Sequence, residues 1–287
     1  MISLDPPALA SLALAAATEA GGYIRSVFRT GMAVETKANA HDPVTEHDRH
    51  TEALIRQILS EAAPGSRVLG EEGGEEALPG TGAERVRWIV DPIDGTANFA
   101  AGLDYIATSI GVELDGKPVA GCVHLPISAE TCWADDRTCY WRDPAGEDRP
   151  VHASRVSREI DALLTGYFPH RDPDPVKRTA LFEDIATLAE HYGTVRSPGA
   201  CARDLAHVAA GHVGVAVATS VKPWDVAAGF HLIRVAGGHV TTYPRGLTDL
   251  PEHLRPAFVA SQATLDAVTA KRVMERAQST WMGPLAH

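Results

Sequence analysis

The chain has 287 residues, of which 45% are apolar and 22% are charged, a composition typical of a globular protein with a sizeable core. Its 26 basic and 37 acidic residues give a net charge of −11, which argues against nucleic acid as a partner because both surfaces would be anionic. The four cysteines form no C-x-x-C pair and predict reduced, mostly buried thiols in a cytoplasmic protein. No apolar run reaches the roughly 18 residues of a membrane span, so no membrane partner is expected.

The first half of the chain predicts two helices followed by a mainly antiparallel sheet. Asp5-Pro6 is typical of a helix N-cap followed by a first-turn proline, and it predicts a core-facing helix to about Phe28. A second helix is predicted from about Glu46 to Ala62, and the segment from Gly70 to Gly82 reads as a loop. Strands are predicted at 67–69, 86–90, 107–114, 119–125, 131–134 and 138–142.

The second half predicts an alternation of strands and helices. The polar run Asp143–Asp148 marks a domain boundary, which divides the chain into an α+β half at 1–148 and an α/β half at 149–287. A connecting strand is predicted near Val151–Ala153. Further strands are predicted at 162–166, 194–197, 213–218 and 239–242, and helices at 175–191, 201–210 and 225–236. Such alternation implies a layered α/β architecture.

The segment Trp88–Phe99 carries the strongest chemical signal. A buried strand leads into Asp91-Pro92-Ile93-Asp94, in which the proline fixes a turn, and Gly95 then allows a sharp turn before a helix start. Two carboxylates and the Ile93 carbonyl would form an all-oxygen ligand set that suits Mg²⁺ rather than zinc. The alternative is a pair of strand-end aspartates that only make hydrogen bonds within a turn.

Three other acidic segments are ambiguous when each is taken alone. Gly70-Glu71-Glu72-Gly73 could be a solvated loop. Within Asp42–Asp48, Thr45 and Asp48 fit a capping box, so Asp48 could belong only to a helix N-terminus. In Trp224–Gly229, Asp225 lies in the first turn of a predicted helix, where the helix dipole favours a negative charge without any metal.

Taken in order, these segments resemble the motifs of the inositol monophosphatase superfamily, the Mg²⁺-dependent, lithium-sensitive phosphatases. The two signature patterns of that superfamily match Trp88–Phe99 and Trp224–Gly229. The segments Asp42–Asp48, Gly70–Gly73 and Arg196–Ala200 match as well, and the resemblance spans roughly residues 8 to 262.

The resemblance implies a layered α-β-α-β-α sandwich of the α/β (α+β) class, a homodimer, and two or three Mg²⁺ ions per active site. The family's metal ligands fall on Glu71, Asp91, the Ile93 carbonyl, Asp94 and Asp225, with Asp48 contacting the weakest metal through water. Catalytic roles fall on Glu71 and Thr96, which would orient and deprotonate the attacking water, and on Asp94. Substrate-binding positions fall on Asp94, Gly95, Thr96, Gly199, Ala200, Cys201 and Asp225.

The expected activity is therefore hydrolysis of a small polyol or sugar phosphate. One departure concerns the substrate, because Ala218 occupies the position of a glutamate that binds ring hydroxyls in the inositol-specific members. Arg203-Asp204 could contact a substrate or form an exposed ion pair. The alternatives are a histidinol-phosphate phosphatase, a sugar-phosphate phosphatase of a specialised pathway, a fructose-1,6-bisphosphatase or an adenosine 3′,5′-bisphosphate phosphatase. A non-enzymatic regulatory role is the remaining alternative, since some bacterial relatives bind transcription machinery.

Overall fold

The computed structural model describes residues 3–30, 34–36, 43–168, 174–245 and 250–282. The helices are α1 (Pro6–Val27), α2 (Glu46–Ala62), α3 (Thr96–Ala101), α4 (Pro175–His191), α5 (Cys201–Ala209), α6 (Pro223–Val235) and α7 (Val268–Ala277). The strands are β1 (Val34–Thr36), β2 (Pro43–Thr45), β3 (Arg67–Gly70), β4 (Gly74–Ala77), β5 (Val86–Asp94), β6 (Ala107–Leu114), β7 (Lys117–Leu125), β8 (Glu130–Ala134), β9 (Cys139–Arg142), β10 (Asp148–Pro150), β11 (Leu163–Tyr167), β12 (Thr194–Arg196), β13 (Val215–Ala218), β14 (His239–Tyr243) and β15 (Ala257–Ser261).

The elements form five layers, which confirms the predicted α-β-α-β-α sandwich. Helices α1 and α2 pack on one face of an eight-stranded sheet, and their shared core includes Leu9, Ile55, Trp88 and Ile110. Helices α5 and α6 lie between that sheet and a five-stranded sheet. Helices α4 and α7 cover the outer face of the second sheet. Each sheet face thus buries its apolar side chains against a helical layer.

The long first helix forms as its sequence predicts. The Asp5 carboxylate accepts a hydrogen bond from the Ala8 N–H at 2.9 Å and so caps the first turn, where Pro6 needs no N–H partner. Small residues on its inner face allow α1 to lie close to the sheet. At Gly21 a Cβ would come within 2.3 Å of the His124 ring, so this position has room only for glycine.

The eight-stranded sheet has the order β10-β9-β8-β7-β6-β5-β3-β4 and is antiparallel except between β3 and β5. In that parallel pair Gly70 lies opposite Val90. Because parallel neighbours end at the same edge of a sheet, the residues that follow β3 lie beside the end of β5. The fold therefore places Glu71 next to Asp91.

Several predicted boundaries are wrong. Strand β5 does not end at Val90 but continues to Asp94, with a shift of register against β6 between Asp91 and Asp94. Pro92 has no N–H for the ladder, and its carbonyl instead accepts a hydrogen bond from the Thr108 hydroxyl at 2.9 Å. The Asp-Pro-Ile-Asp segment is therefore an irregular end of a strand rather than a turn after it.

Two further corrections concern the strands around Gly70–Gly82 and Val151–Ala153. The first segment contains strand β4, which pairs antiparallel with β3. Its exposed glutamates are the residues that made the segment look like a loop. The second is not a strand, because its backbone bonds go to different elements: the Val151 N–H donates to Cys139 and the Ala153 N–H to Ala236. The boundary between residues 1–148 and 149–287 stays a prediction.

Candidate active site

The floor of the site is formed by the ends of β3 and β5. The Glu71 N–H donates to the Val90 carbonyl at 3.2 Å, which fixes this residue beside Asp91. Asp91 is only 2% exposed, and its carboxyl group is hydrogen-bonded to that of Glu71. Burial raises the pKa of Asp91 well above its ordinary value, and the negative charges of Glu71, Asp94 and Asp225 raise it further.

One oxygen of this floor is buried without a hydrogen-bond partner. Asp91 Oδ1 is inaccessible to solvent and accepts no hydrogen bond. A buried carboxylate oxygen normally accepts from a backbone N–H, a side chain or a water, because leaving it unpaired costs free energy. Asp91 Oδ1 is therefore available to accept a hydrogen bond or to bind a cation.

Asp94 faces the floor from a different environment. It is 6% exposed, and its two oxygens accept hydrogen bonds from the N–H groups of Cys201 at 2.9 Å and Arg203 at 3.1 Å. These donors belong to the first turn of α5, so Asp94 caps a helix more than 100 residues away in sequence. Burial and the charge of Asp225 raise its pKa, and the two N–H groups act in the opposite direction.

Thr96 connects two of the predicted site residues. Its hydroxyl lies 2.9 Å from Asp48 Oδ1 and 3.1 Å from the Ile93 carbonyl, so it can donate to either oxygen. Gly95 precedes it with φ of +88°, and a Cβ there would lie 3.0 Å from the Tyr105 carbonyl. The turn that presents Thr96 therefore requires glycine.

Asp48 is buried and forms the predicted capping box at the start of α2. Its Oδ2 accepts from the Thr45 N–H at 2.8 Å and from the Thr45 hydroxyl at 2.6 Å. The same carboxylate reaches Thr96 through Oδ1, so capping and contact with the site are not exclusive. Asp42, the first residue of this motif, lies outside the described residues.

Asp225 comes to the site from α6. Its Oδ2 accepts from the Lys222 N–H at 2.7 Å, so it caps its own helix as the sequence allowed. The Ser109 hydroxyl donates to the Trp224 carbonyl at 3.2 Å and ties this helix end to β6. The charge of Asp225 acts on both Asp91 and Asp94.

The donor set fits a hard divalent cation in its chemistry. Carboxylate and carbonyl oxygens suit Mg²⁺, and the unpartnered Asp91 Oδ1 lies among like charges that a cation would neutralise. Across the described ranges, however, no group of three or more His, Cys, Asp or Glu side chains is placed so that it could hold an ion. Oxygens of Asp94 and Asp225 accept backbone N–H groups, and each carboxylate keeps further lone pairs with which it could hold an ion.

The predicted substrate positions Gly199, Ala200 and Cys201 lie together at the start of α5. They line a small cavity of about 10 Å³ with Ala218 and Asp204. Burial of the Cys201 thiol, followed by the charges of Asp225 and Asp94, raises its pKa, which keeps it neutral. A neutral thiol at this half-buried position behaves as a small apolar side chain.

Asp204 is buried, so the exposed ion pair with Arg203, one of the two alternatives for this pair of residues, is wrong. It is 7% exposed, and its Oδ1 accepts from the Tyr105 hydroxyl at 2.6 Å. Burial raises the pKa of Asp204 to about 7, against the opposing effect of the Tyr105 hydrogen bond. The Arg203 guanidinium instead lies 4.2 Å from the centroid of the Tyr105 ring and donates to the Asp104 carbonyl. Tyr105 lies outside every motif, so no sequence signal pointed to it.

Comparison with known proteins places this geometry in a family. The model of the inositol monophosphatase family matches residues 5–278. The chain belongs to this family. Family membership supports a phosphatase, and the family generally uses Mg²⁺.

Individual relatives carry two different names. An inositol-1-monophosphatase of Mycobacterium bovis is 34% identical over 249 residues, which is 82% of this chain and 84% of the relative. The Nus factor SuhB of Escherichia coli is 32% identical over 243 residues, which is 82% and 85% of the two chains. Among solved structures, the extragenic suppressor protein suhB of Bartonella henselae superposes with a TM-score of 0.79 at 30% identity, covering 94% of this chain and 98% of that one. Across the described residues, no helix has the length and apolar character to cross a bilayer.

Proposed function

We propose that the protein is a Mg²⁺-dependent phosphomonoesterase acting on a small polyol or sugar phosphate. The observation that carries the proposal is the buried, unpartnered oxygen of Asp91 among the carboxyl groups of Glu71, Asp94 and Asp225. Burial and the neighbouring negative charges raise the pKa of Asp91 and of Asp94, and a divalent cation would relieve that repulsion. Family membership supports the same chemistry.

Glu71, Asp91, Asp94, the Ile93 carbonyl and Asp225 would hold the first ions, and Asp48 would contact a third through water. When bound, Mg²⁺ supplies positive charge that neutralises the phosphate oxygens and eases the departure of the leaving oxygen. Lithium would inhibit by competing at one of these positions.

Thr96 has the contacts of a residue that orients water. Because its hydroxyl can donate to Asp48 at 2.9 Å, its lone pairs can then accept a hydrogen bond from a water on the phosphate side. Glu71 would share that task from the floor, and each would act as a general base or as its relay. Gly95, Thr96 and the first turn of α5 would surround the phosphate.

The leaving group would lie against the start of α5 and the end of β13. There Ala218 is buried and shares a small cavity with Cys201 and Asp204. A methyl group accepts no hydrogen bond, so recognition of two adjacent ring hydroxyls by this position is ruled out. Ala218 is therefore more compatible with a sugar-phosphate phosphatase of a specialised pathway or a histidinol-phosphate phosphatase than with an enzyme dedicated to myo-inositol phosphate.

We further propose a cytoplasmic homodimer built from two halves, 1–148 and 149–287. The absence of paired cysteines supports the compartment, because the described thiols are all free. The homodimer and the halves rest on the family resemblance and on the composition change at Asp143–Asp148.

The test is phosphate release from a panel of esters with and without Mg²⁺. The panel contains myo-inositol-1-phosphate, histidinol phosphate, fructose-1,6-bisphosphate, adenosine 3′,5′-bisphosphate and several sugar phosphates. We expect Mg²⁺-dependent, Li⁺-sensitive hydrolysis with a preference among sugar or polyol monophosphates. Release that is unaffected by removal of Mg²⁺ with a chelator, or that persists in the Asp91→Asn variant, would contradict the proposal.

A second candidate is a role like that of the relatives named Nus factor SuhB, which are 32–34% identical to this chain. The net charge of −11 opposes direct contact with nucleic acid. This candidate predicts no hydrolysis across the panel, together with association with transcription proteins in a pull-down that the Asp91→Asn variant retains.

A further inference from the structure

Glu52 is a buried acidic residue outside the expected metal and catalytic set. It lies on the inner side of α2 and is only 2% exposed. Its Oε2 accepts from the Glu72 N–H at 2.8 Å, and its Oε1 accepts from the Gly73 N–H at 2.9 Å. The Arg56 guanidinium, one helical turn later, donates to Oε1 at 2.8 Å and compensates the charge. The carboxylate is therefore satisfied on both oxygens.

The glycines of Gly70-Glu71-Glu72-Gly73 are explained by this carboxylate. A Cβ on Gly70 would lie 2.3 Å from Glu52 Oε1, and a Cβ on Gly73 would lie 2.8 Å from the same atom. Real Cβ atoms do not approach an oxygen so closely, so a side chain at either position would displace the Glu52 carboxylate. The spacing of the motif thus reflects the approach of Glu52 to the backbone.

The two bonds of Glu52 fix the segment that carries Glu71. On one side, the Glu71 N–H donates to the Val90 carbonyl at 3.2 Å. On the other side, the next two N–H groups donate to Glu52. Arg56 also donates to the Gly74 carbonyl at 2.8 Å, so the helix holds both ends of the turn between β3 and β4. Three consecutive amides therefore determine where the Glu71 carboxylate lies relative to Asp91.

We propose that Glu52 is a positioning residue, which sets the Glu71 carboxylate for ion binding through the backbone of Glu72 and Gly73. The inference rests on the proposed function, because Glu71 is one of the expected ligands. It assigns to α2 a second task besides packing against α1 and the sheet. Removal of such outer contacts in metal sites commonly weakens metal binding by about 10-fold to 100-fold.

The experiment compares Glu52→Gln with Glu61→Gln in the full-length protein. The second variant makes the same chemical change on the same helix at an exposed residue whose carboxylate contacts only Gln57 within the described hydrogen bonds. The first readout needs no metal: hydrogen exchange of the Glu72 and Gly73 amides, followed by NMR in a chelator. The second is the dissociation constant for Mn²⁺, followed by electron paramagnetic resonance without substrate.

We expect Glu52→Gln to raise the exchange rates of these two amides at least tenfold and the Mn²⁺ dissociation constant about tenfold. The Mg²⁺ concentration for half-maximal phosphate release should rise by the same factor, while the KM for the ester at saturating Mg²⁺ stays within twofold. Glu61→Gln should leave all these quantities unchanged. A merely structural role would lower the melting temperature without a selective change in metal affinity.

The outcomes separate the two proposals. If the wild-type protein does not bind Mn²⁺, the proposed function fails. If the wild type binds Mn²⁺ and Glu52→Gln binds it equally well, the positioning role is overturned while the metal site stands. If Glu52→Gln does not fold, Gly73→Ala replaces it, because the added Cβ displaces the Glu52 carboxylate, and the same two readouts apply.

Discussion

The floor and the roof of the candidate site treat their carboxylates in opposite ways. On the floor, at the ends of β3 and β5, Asp91 and Glu71 face each other and Asp91 Oδ1 has no hydrogen-bond partner. On the roof, Asp94 accepts two backbone N–H groups from the first turn of α5, and Asp225 accepts the N–H of the N-cap residue of α6. Backbone N–H groups at helix ends therefore stabilise the Asp94 and Asp225 carboxylates, whereas no such donor reaches Asp91 Oδ1 within the described residues.

The largest expected effect is on catalysis, and it should not distinguish the two regions. Asp91→Asn and Asp94→Asn each remove one negative oxygen from the proposed ion site, so we expect phosphate release to fall by about 1,000-fold or more in both. Activity of purified variants is measured with Mg²⁺ at saturation, and circular dichroism checks the fold. Full activity in Asp94→Asn would show that the roof takes no part in ion binding.

In the metal-free protein, Asp91→Asn should raise the free energy of unfolding and Asp94→Asn should lower it. Asp91→Asn removes a carboxyl group whose ionisation is disfavoured by burial and by neighbouring negative charges, and its new amide can donate to Glu71. The free energy of unfolding, measured in urea, should therefore rise by about 1 kcal/mol. Asp94→Asn places an NH₂ group against one of two N–H donors, so its free energy of unfolding should fall by about 1–2 kcal/mol. Shifts of the same sign would remove the distinction between floor and roof.

The dependence of stability on pH tests the roof through Asp204, which lies in α5, the helix that Asp94 caps. Its pKa is raised to about 7 from an ordinary value of 3.8. The folded protein therefore retains this proton where the unfolded chain loses it, so the stabilisation is complete below pH 3.8 and is lost as pH rises through 7. Between pH 5 and pH 9 this group should lower the free energy of unfolding by about 3 kcal/mol.

The check is urea unfolding of the wild type and of Asp204→Asn across that range. In the variant, the free energy of unfolding should fall by about 3 kcal/mol less than in the wild type across this range. Tyr105→Phe is the matched control, because loss of the hydroxyl that donates to Asp204 raises the pKa further and should steepen the curve. Parallel curves for wild type and Asp204→Asn would show that Asp204 titrates normally.

The smallest effect is expected at Asp48, whose two oxygens are divided between a helix cap and the site. Thr45→Ala removes the hydroxyl that donates to Asp48 and accepts from the His47 N–H, so it should cost about 1 kcal/mol of stability. Thr45→Ser keeps the hydroxyl and should cost only a few tenths. Activity should fall only a few-fold, because Thr96 still reaches Asp48 Oδ1. A larger loss in activity than in stability would mean that the cap also aligns Thr96.

The sequence was most informative where local chemistry determines the structure. Asp5-Pro6, the capping box at Thr45 and Asp48, and Asp225 in the first turn of α6 were all read from adjacent residues, and the structure contains each of them. The order of the layers followed from the family resemblance, whereas the alternation of strands and helices predicted only a layered α/β architecture. These features depend on contacts within about one helical turn.

It was least informative where the partner is distant in sequence. Glu52 looks like a polar residue on a helix, since the amides of Glu72 and Gly73 that it binds lie 20 and 21 residues away. Asp204 looked exposed because its partner Tyr105 is 99 residues away. Strand β15 and helix α7 were not predicted at all, although β15 pairs with both β13 and β14. Only the three-dimensional arrangement identifies such partners.

The bonds from Cys201 and Arg203 to Asp94 have a consequence for synthesis of the chain. The ribosome completes the ends of β3 and β5 more than 100 residues before the helix that caps Asp94. Until then the inner face of the first sheet, with Val123, Leu125 and Ala134, has no helical layer to bury it. The nascent N-terminal part therefore exposes both an acidic cluster and an apolar surface, and protection of that surface during translation falls to chaperones or to rapid completion of α5 and α6.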